Sequence, residues 1–416
     1  MDLSRVAIVA AATVLVACVD SPTAPAHRPP GAPSLDQASE GRGVLQRYVA
    51  IGTSISMGWA SDGVFAGSQV DSWPAQLARL GNREITQPLI ASPGCRPPLV
   101  GILGLNQRLD GSAALPPPTT CAPLVAGVTL PTQNLAISGA RTANALATTP
   151  EATADPLYDR VLPPGATQVS AMAAQSPKLV SLELGAAEVL SAYSGIAIAG
   201  PPPAPILAPQ LWAPQYREVL DRVQAVSTVK HVVLVGLPTN PAAFPAMRFG
   251  HEIAAEAGVL AALKVLVQPD CATTNANNLI FVLLKLAPTI VAAAASPVPL
   301  PFSCADLPPN PALPDFVLTP ADQALVAAVL GQMNEVIEDE AATRGFAHFS
   351  LDALYAHPAA RPPFSVLAMM GTPVPFGPLL SLDGIHPSAA GNAILAGAAA
   401  AALNERYGLG IPVVAP

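Results

Sequence analysis

Three short segments of the chain carry polar side chains or a backbone N–H that could take part in catalysis. Ser54 stands in a Gly-Thr-Ser-Ile sequence, where the glycine permits a tight turn after an apolar run. Near the other end, Asp383 precedes His386 by three residues, a spacing that lets a carboxylate reach and orient an imidazole. The carboxylate would also stabilise the charged form of that ring. The third segment offers a backbone N–H, that of Gly139, directly after another apolar run.

Each segment taken alone also has a plain structural explanation. A serine after a strand commonly caps a helix, and an Asp-x-x-His segment commonly starts one. Gly139 fits an ordinary glycine turn. The chemical interpretation therefore depends on whether the fold brings the three segments together.

Five short apolar segments predict the strands that must position these residues. They resemble parallel strands buried on both faces and cover residues 47–53, 134–138, 179–184, 231–237 and 346–351. Helical spacing of apolar residues lies between or after them at 73–80, 167–175, 216–226, 320–343 and 388–407, the last with Ser388 as a candidate N-cap. This alternation predicts a doubly wound α/β fold, in which sites lie at the carboxyl ends of the strands.

In combination, the three segments resemble the SGNH family, also called GDSL-type hydrolases. The resemblance covers roughly residues 45–407 outside two insertions, and the block from Asp383 to His386 matches most closely. It implies a flavodoxin-like, three-layer α/β/α sandwich with a five-stranded parallel sheet. It also implies that Ser54 attacks an ester carbonyl, that His386 transfers the proton and that Asp383 orients His386. The backbone N–H groups of Ser54 and Gly139 would then form the oxyanion hole.

The sequence departs from the family pattern at two positions. Thr53 replaces the aspartate of the GDSL signature, which is not the nucleophile. After the third predicted strand the family has an asparagine that supplies a third oxyanion donor, and this chain has Ala187 there. Loss of one such donor typically lowers turnover by about 10²–10³-fold, and the adjacent Glu188 cannot donate while ionised. Either two donors suffice, another residue substitutes, or the site is weak or silent.

The N-terminus predicts export and lipidation. Residues 6–17 form an apolar run typical of a signal-peptide core, too short to span a bilayer comfortably. The run ends in Leu15-Val16-Ala17-Cys18, which resembles the lipobox of bacterial lipoproteins; the alternative is an ordinary signal peptide with a chance cysteine. We therefore predict a signal peptide over 1–17, lipid on Cys18, a proline-rich tether over 18–43 and a hydrolase domain over 44–410. The expected location is the bacterial cell envelope, anchored in the membrane.

Four further cysteines predict two disulfides in an exported chain. Three pairings are possible, and the sequence-local one, Cys95–Cys121 with Cys271–Cys304, closes two proline-rich excursions. These excursions define insertions at 91–131 and 240–319. The second contains helical patterns over 251–268 and 278–296, which predict either a buried helical hairpin or an apolar lid that meets acyl chains. A membrane span over 278–296 is disfavoured by Lys285, Pro288 and the surrounding cysteine pair.

Composition narrows the classes of protein. Of 416 residues, 51% are apolar and 12% charged, which excludes a solvated disordered chain. The net charge of −8 without a basic run disfavours nucleic acid as a partner. No sequence pattern for a metal or a cofactor is present, and we expect a monomer. Two functions follow: a lipid-anchored serine esterase or lipase acting on acyl or lipid esters, or a catalytically silent lipid- or ligand-binding lipoprotein on the same fold.

Overall fold

The computed structural model describes residues 35–103, 107–114, 118–202, 204–307 and 314–413. The predicted signal peptide, the lipidation site Cys18 and most of the predicted tether lie outside these residues. A helix covers Leu35–Leu45, where the sequence analysis expected the end of the tether. Its last residues, Val44 and Leu45, are buried in the hydrophobic core. Regular structure therefore begins before the predicted domain boundary at residue 44.

Four parallel strands form the central sheet. We number them β1 (Tyr48–Gly52), β2 (Leu179–Glu183), β3 (His231–Gly236) and β4 (Ala347–Ser350). They lie side by side in this order, each hydrogen-bonded in parallel to the next. All residues of β1 and β2 and those of β3 after His231 are buried, as near-continuous apolar sequences predict for strands covered on both faces. In β4, buried residues alternate with half-buried ones. The mixed α/β class with a parallel sheet thus agrees with the sequence analysis.

The prediction of a five-stranded sheet was wrong. The segment predicted as the second strand, residues 134–138, makes one isolated parallel bridge, between Asn134 and Ala50 of β1. Leu135 N–H and Ile137 N–H donate to carbonyls of β1 at 2.8 and 3.1 Å, so the segment follows the edge of the sheet. The Asn134 side chain accepts a hydrogen bond from Ala136 N–H, so this backbone donor is satisfied locally and not by a further strand.

The helices divide into long and short ones. We number those of eight or more residues in the described part of the chain α1 (Leu35–Leu45), α2 (Trp73–Leu80), α3 (Pro209–Gln224), α4 (Ala287–Ala295), α5 (Pro320–Arg344) and α6 (Ala389–Tyr407). The shorter α-helices are Ser54–Met57, Ala66–Gln69, Thr142–Ala147, Pro156–Val161, Gln168–Ala174, Gly250–Ala255, Ala257–Ala262, Asp352–Tyr355 and Val366–Gly371. Single turns of 3₁₀ or π helix occur at Pro150–Ala152, Ala186–Glu188, Leu190–Ser194, Pro241–Ala243, Pro269–Ala272, Val282–Leu286 and Pro358–Ala360.

The sheet contributes alternate residues to two hydrophobic clusters. Tyr48 and Ala50 of β1 belong to one cluster, which also contains buried residues of α2 and α6. Val49 and Ile51 belong to the other, which contains buried residues of α3 and α5. Because successive side chains of a strand point to opposite faces, the two faces of β1 contribute to different clusters.

Both insertions are closed by the disulfides expected from the sequence, Cys95–Cys121 and Cys271–Cys304. The first insertion contains a small hairpin of Leu99–Gly101 with Gln107–Arg108. Another small strand pair, Ala199–Gly200 with Ile206–Leu207, lies between β2 and α3. The second insertion holds two small sheets, one of Met247–Phe249, Leu279–Phe281 and Val317–Leu318 and one of Val265–Val267 with Leu300–Phe302.

The expectation of a buried helical hairpin in the second insertion was therefore wrong. Within 251–268, two short helices end before Val265 and Val267, whose branched side chains favour a strand. Within 278–296, Pro288 fits the first turn of a helix better than its interior, where it removes a backbone hydrogen bond. Accordingly α4 begins at Ala287, and the residues before it form a strand and a π turn. In the described part of the chain, no helix combines the length and hydropathy needed to cross a bilayer.

Candidate active site

Ser54 lies at the carboxyl end of β1, as the first residue of the short helix Ser54–Met57. The strand must turn sharply here. A Cβ atom on Gly52 would lie 2.6 Å from Ser56 Oγ and 3.1 Å from Glu183 Oε2, so a larger residue does not fit. Ser54 itself is only 6% exposed. The glycine seen in the sequence is thus required for the close approach of the turn to β2.

Asp383 and His386 lie in the loop that precedes α6, and the structure brings both to Ser54. His386 Nε2 lies 2.9 Å from Ser54 Oγ, and His386 Nδ1 lies 2.9 Å from Asp383 Oδ2. The three side chains therefore form one continuous chain of hydrogen bonds. Gly384, with φ of +61°, provides the left-handed backbone conformation between the aspartate and the histidine, and a Cβ atom there would lie 2.9 Å from Ala246 N.

The Asp383 carboxylate is held by several donors besides the imidazole. Its Oδ1 accepts from Ile385 N–H, His386 N–H and the Ser381 hydroxyl, and its Oδ2 accepts from Asp62 N–H at 2.7 Å. Burial raises the pKa of this carboxyl, but the neighbouring His386 and these hydrogen bonds outweigh the burial and lower the pKa to about 2. Asp383 is therefore ionised at any pH at which a histidine acts as a base.

Asp62 connects this loop to the first insertion. Its backbone donates to Asp383, and its carboxylate forms ion pairs with Arg96 at 2.8 Å and Arg108 at 2.6 Å. The Arg108 side chain is 1% exposed, and it also donates to the carbonyls of Pro97 and Ala114. Because these partners satisfy the buried guanidinium, the insertion holds the loop that contacts the site in a defined position.

Two backbone N–H groups near the site could donate hydrogen bonds to an oxyanion. In the described part of the chain, the N–H groups of Ser54 and Gly139 donate to no backbone carbonyl or side chain. Gly139 has φ of +77°, in the turn that follows the edge segment beside β1. Ala187 lies half-buried in the 3₁₀ turn after β2 and offers no side-chain donor.

Glu188, next to Ala187, is fully buried, and its carboxylate contacts the helix Thr142–Ala147. Its Oε1 accepts from Thr142 N–H at 2.6 Å, at the start of the helix Thr142–Ala147. Burial raises the pKa of this carboxyl, an effect that the hydrogen bonds from Thr142 partly offset. The Thr142 hydroxyl in turn accepts from the indole of Trp212. Glu188 thus links the loop after β2 to neighbouring helices.

A further residue of the site was missed by the sequence analysis. Glu183, the last residue of β2, is fully buried, and its carboxylate accepts from Thr53 N–H at 2.9 Å, the Thr53 hydroxyl at 2.8 Å and Ser56 N–H at 3.2 Å. Burial raises the pKa of Glu183, and these hydrogen bonds oppose that rise. The carboxylate lies across the turn that carries Ser54 and fixes its backbone. A charged residue at the end of a strand that is otherwise free of charge was the signal that could have identified it.

An apolar cavity of about 250 Å³ lies beside His386, between the two insertions. A larger depression of about 860 Å³ lies on another part of the surface, lined by residues such as Glu84, Leu89 and Val128, and it contacts neither Ser54, His386 nor Asp383. The smaller cavity is therefore the one that is relevant to the site.

The chain resembles known proteins only weakly. No family model matches the chain, and no curated protein matches it. Among solved structures, two mutants of an acetyl-xylooligosaccharide esterase from Geobacillus Stearmophilus are each 13% identical, over 89% of this chain and 97% of theirs, with TM-scores of 0.34 and 0.33. An extracellular lipase from Streptomyces rimosus is 15% identical, over 84% of this chain and 98% of its own, with a TM-score of 0.33. Similarities with TM-scores this low establish neither a fold family nor an activity for this chain.

Proposed function

We propose that this chain is a serine-dependent carboxylic ester hydrolase of the SGNH type. The observation that carries the proposal is the unbroken hydrogen-bond chain from Ser54 Oγ through His386 to Asp383, at the carboxyl end of β1. A serine hydroxyl becomes an effective nucleophile when a positioned imidazole removes its proton and a carboxylate holds that imidazole.

The reaction that these groups support has two halves. Ser54 Oγ attacks the ester carbonyl carbon while His386 Nε2 takes the hydroxyl proton, and the amides of Ser54 and Gly139 donate to the new oxyanion. The tetrahedral intermediate then collapses, the carbon–oxygen bond to the alcohol breaks, and His386 protonates the departing alcohol. In the second half, water replaces the alcohol, and the same proton transfers release the acid and regenerate Ser54. Asp383 stays ionised throughout.

A direct test of this function is ester hydrolysis by the full chain. We expect release of p-nitrophenol from the p-nitrophenyl esters of acetate, butyrate and octanoate, with no release from p-nitrophenyl phosphate. Absence of turnover with every ester, at enzyme concentrations near those of the substrate, would contradict the proposal.

The apolar surroundings of the site favour acyl or lipid esters as substrates. Leu99, Phe281 and Leu284 contribute to the cavity beside His386, and its lining has more apolar than polar residues. Burial of a hydrocarbon group against such a lining makes the free energy of substrate binding more favourable, whereas contact with a polysaccharide would not.

The second candidate function is binding without turnover, and Ala187 is the observation that favours it. The alanine cannot supply the third oxyanion donor that the resemblance implies, and with two donors the rate falls below that of a complete oxyanion hole. If the protein is silent, esters and apolar alcohols should bind to it and be recovered unchanged.

We expect the replacement Ala187→Asn to raise kcat by about tenfold or more, because a restored amide donor acts mainly on the transition state. KM should change less than kcat. Steady-state kinetics with p-nitrophenyl butyrate would measure both constants, and Ala186→Asn, in the same 3₁₀ turn, is the matched control. An unchanged or lower kcat in Ala187→Asn, with a brisk wild type, would mean that another donor already fills this role.

We also propose that Cys18 carries a lipid that anchors the protein in the cell envelope. The support is the sequence Leu15-Val16-Ala17-Cys18 after an apolar run. When the full chain is expressed in a bacterium, we expect incorporation of labelled palmitate and partition into detergent, and Cys18→Ser should show neither. Equal palmitate uptake by both forms would rule out lipidation at this cysteine.

A further inference from the structure

The apolar cavity beside His386 is built from both disulfide-closed insertions. Leu99 and Leu103 come from the first insertion, and Phe281, Leu284 and Val291 come from the second. Two of the catalytic side chains of the proposed mechanism, His386 and Asp383, also line it. The insertions therefore form a pocket that opens onto the imidazole.

The position of this pocket relative to the reacting atoms indicates which part of an ester it receives. Of the described residues that line the cavity, none is Ser54, Gly139 or Ala187. The carbonyl oxygen of a bound ester must point to the amides of Ser54 and Gly139. The leaving oxygen must instead lie near His386 Nε2, because this nitrogen supplies its proton. Because His386 lines the pocket and the residues of the oxyanion amides do not, we place the pocket on the leaving-group side.

The charged side chains of the first insertion and of Asp62 bind one another at the wall of the pocket. Asp62, Arg96 and Arg108 lie at its wall, but the Asp62 carboxylate pairs with both guanidinium groups. Arg96 also lies over the ring of Trp59, 5.6 Å from its centroid. The two guanidinium groups thus share one carboxylate, and apart from these three residues, His386 and Asp383, the described residues that line the cavity are apolar, which favours a hydrocarbon group over a charged one.

The size of the pocket limits the group. An apolar cavity of about 150 Å³ holds the six carbons of benzene. On that scale, the cavity of about 250 Å³ accommodates a chain of roughly eight to ten carbons.

From these observations we infer that the cavity binds the hydrocarbon part of the leaving alcohol, so that the substrates are carboxylic esters of apolar alcohols of medium length. This inference rests on the proposed ester hydrolysis and specifies its substrate class. In the first half of the reaction the alcohol leaves from this pocket with the proton from His386, and the acyl group stays on Ser54.

Two matched series of alkyl esters, hydrolysed by the full chain, test the inference. The first keeps acetate and lengthens the alcohol from ethyl to butyl to hexyl; the second keeps ethanol and lengthens the acid from acetate to butyrate to hexanoate. Acid release is followed by titration at constant pH. Burial of each methylene is worth about 0.8 kcal/mol, so kcat/KM should rise by up to about fourfold per methylene in the alcohol series. It should rise much less in the acid series.

A cavity-filling variant and a control assign the effect to this pocket. Leu284→Trp places a larger side chain in the cavity and should lower the ratio of kcat/KM for hexyl acetate to that for ethyl acetate by about tenfold or more, the value of two or three buried methylenes. Val298→Trp is the control. Val298 belongs to the same insertion, is 59% exposed and lies outside the cavity, so the ratio should keep its wild-type value.

The two ester series and the Leu284→Trp variant distinguish a pocket for the alcohol from a pocket for the acyl group. Steep dependence on acid length with a flat alcohol series would assign the cavity to the acyl group and overturn the inference. Flat dependence in both series, or equal ratios in Leu284→Trp and wild type, would show that the cavity binds no part of the substrate. Absence of hydrolysis in every case would instead overturn the proposed function itself, and this inference with it.

Discussion

Replacement of Ser54 by alanine is expected to lower kcat by about 10⁴–10⁶-fold, because no acyl-enzyme can form without its hydroxyl. The oxyanion amides and the substrate pocket would remain, so a small residual rate above that in water is expected. The fold should persist, since the Ser54 hydroxyl bonds only to His386 among the described residues. Steady-state kinetics on p-nitrophenyl butyrate and thermal unfolding of the same samples measure both effects.

Ser56→Ala is the matched control for this substitution. Ser56 lies two residues further along the same helix, and its hydroxyl accepts from the indole of Trp73 at 3.0 Å. Its loss leaves the buried indole N–H without this acceptor, which should cost about 1–3 kcal/mol of stability, while kcat should stay within about tenfold of the wild type. If Ser54→Ala retained wild-type kcat while Ser56→Ala lost it, the nucleophile would have been assigned to the wrong serine.

The second large effect is expected at Asp383. Asp383→Asn should lower kcat by about 10⁴-fold, since an amide cannot hold the imidazole in the tautomer that accepts the Ser54 proton. KM should change far less than kcat, because the aspartate stabilises charge that forms on His386 during the reaction. Asp352→Asn is the control. The Asp352 carboxylate also accepts from a backbone N–H and a hydroxyl, both of Thr239, at a position outside the site. A kcat of Asp383→Asn within tenfold of the wild type would contradict this role.

The same carboxyl makes stability depend on pH. Its folded pKa of about 2 lies below the ordinary value of 3.8, so its ionised form stabilises the folded state. This contribution, on the order of 2 kcal/mol, is complete above the unfolded pKa and is lost as the pH falls from about 4 towards 2. The unfolding free energy of Asp383→Asn should therefore fall less steeply over this range than that of the wild type.

Local sequence patterns were sufficient to predict much of the framework. Near-continuous apolar runs identified the four strands of the sheet, because strands buried on both faces are rich in apolar residues. Residues that cap helices were equally informative. Ser388, predicted as an N-cap, accepts a hydrogen bond from Gly391 N–H at the start of α6. The spacing of Asp383 and His386 also predicted their contact, which is set by one short loop.

Contacts between distant segments could not be predicted in this way. Glu183 holds the Ser54 turn through Thr53, across 130 positions of sequence, and a strand pattern does not say which turn a buried carboxylate faces. The bond from Asp62 N–H to Asp383 spans 321 positions. The strands of the second insertion were missed for a different reason. Short apolar runs fit a helix and a strand equally well, so the pattern alone could not distinguish the two.

The central claim is that Ser54 is an activated nucleophile, and covalent labelling tests it most directly. We predict that a fluorophosphonate probe adds once per molecule of the full chain, that peptide mapping by mass spectrometry places the adduct on Ser54, and that labelling is lost in Ser54→Ala and greatly slowed in His386→Ala. An adduct on any other residue, or no adduct under conditions that label a known serine esterase completely, would contradict the account.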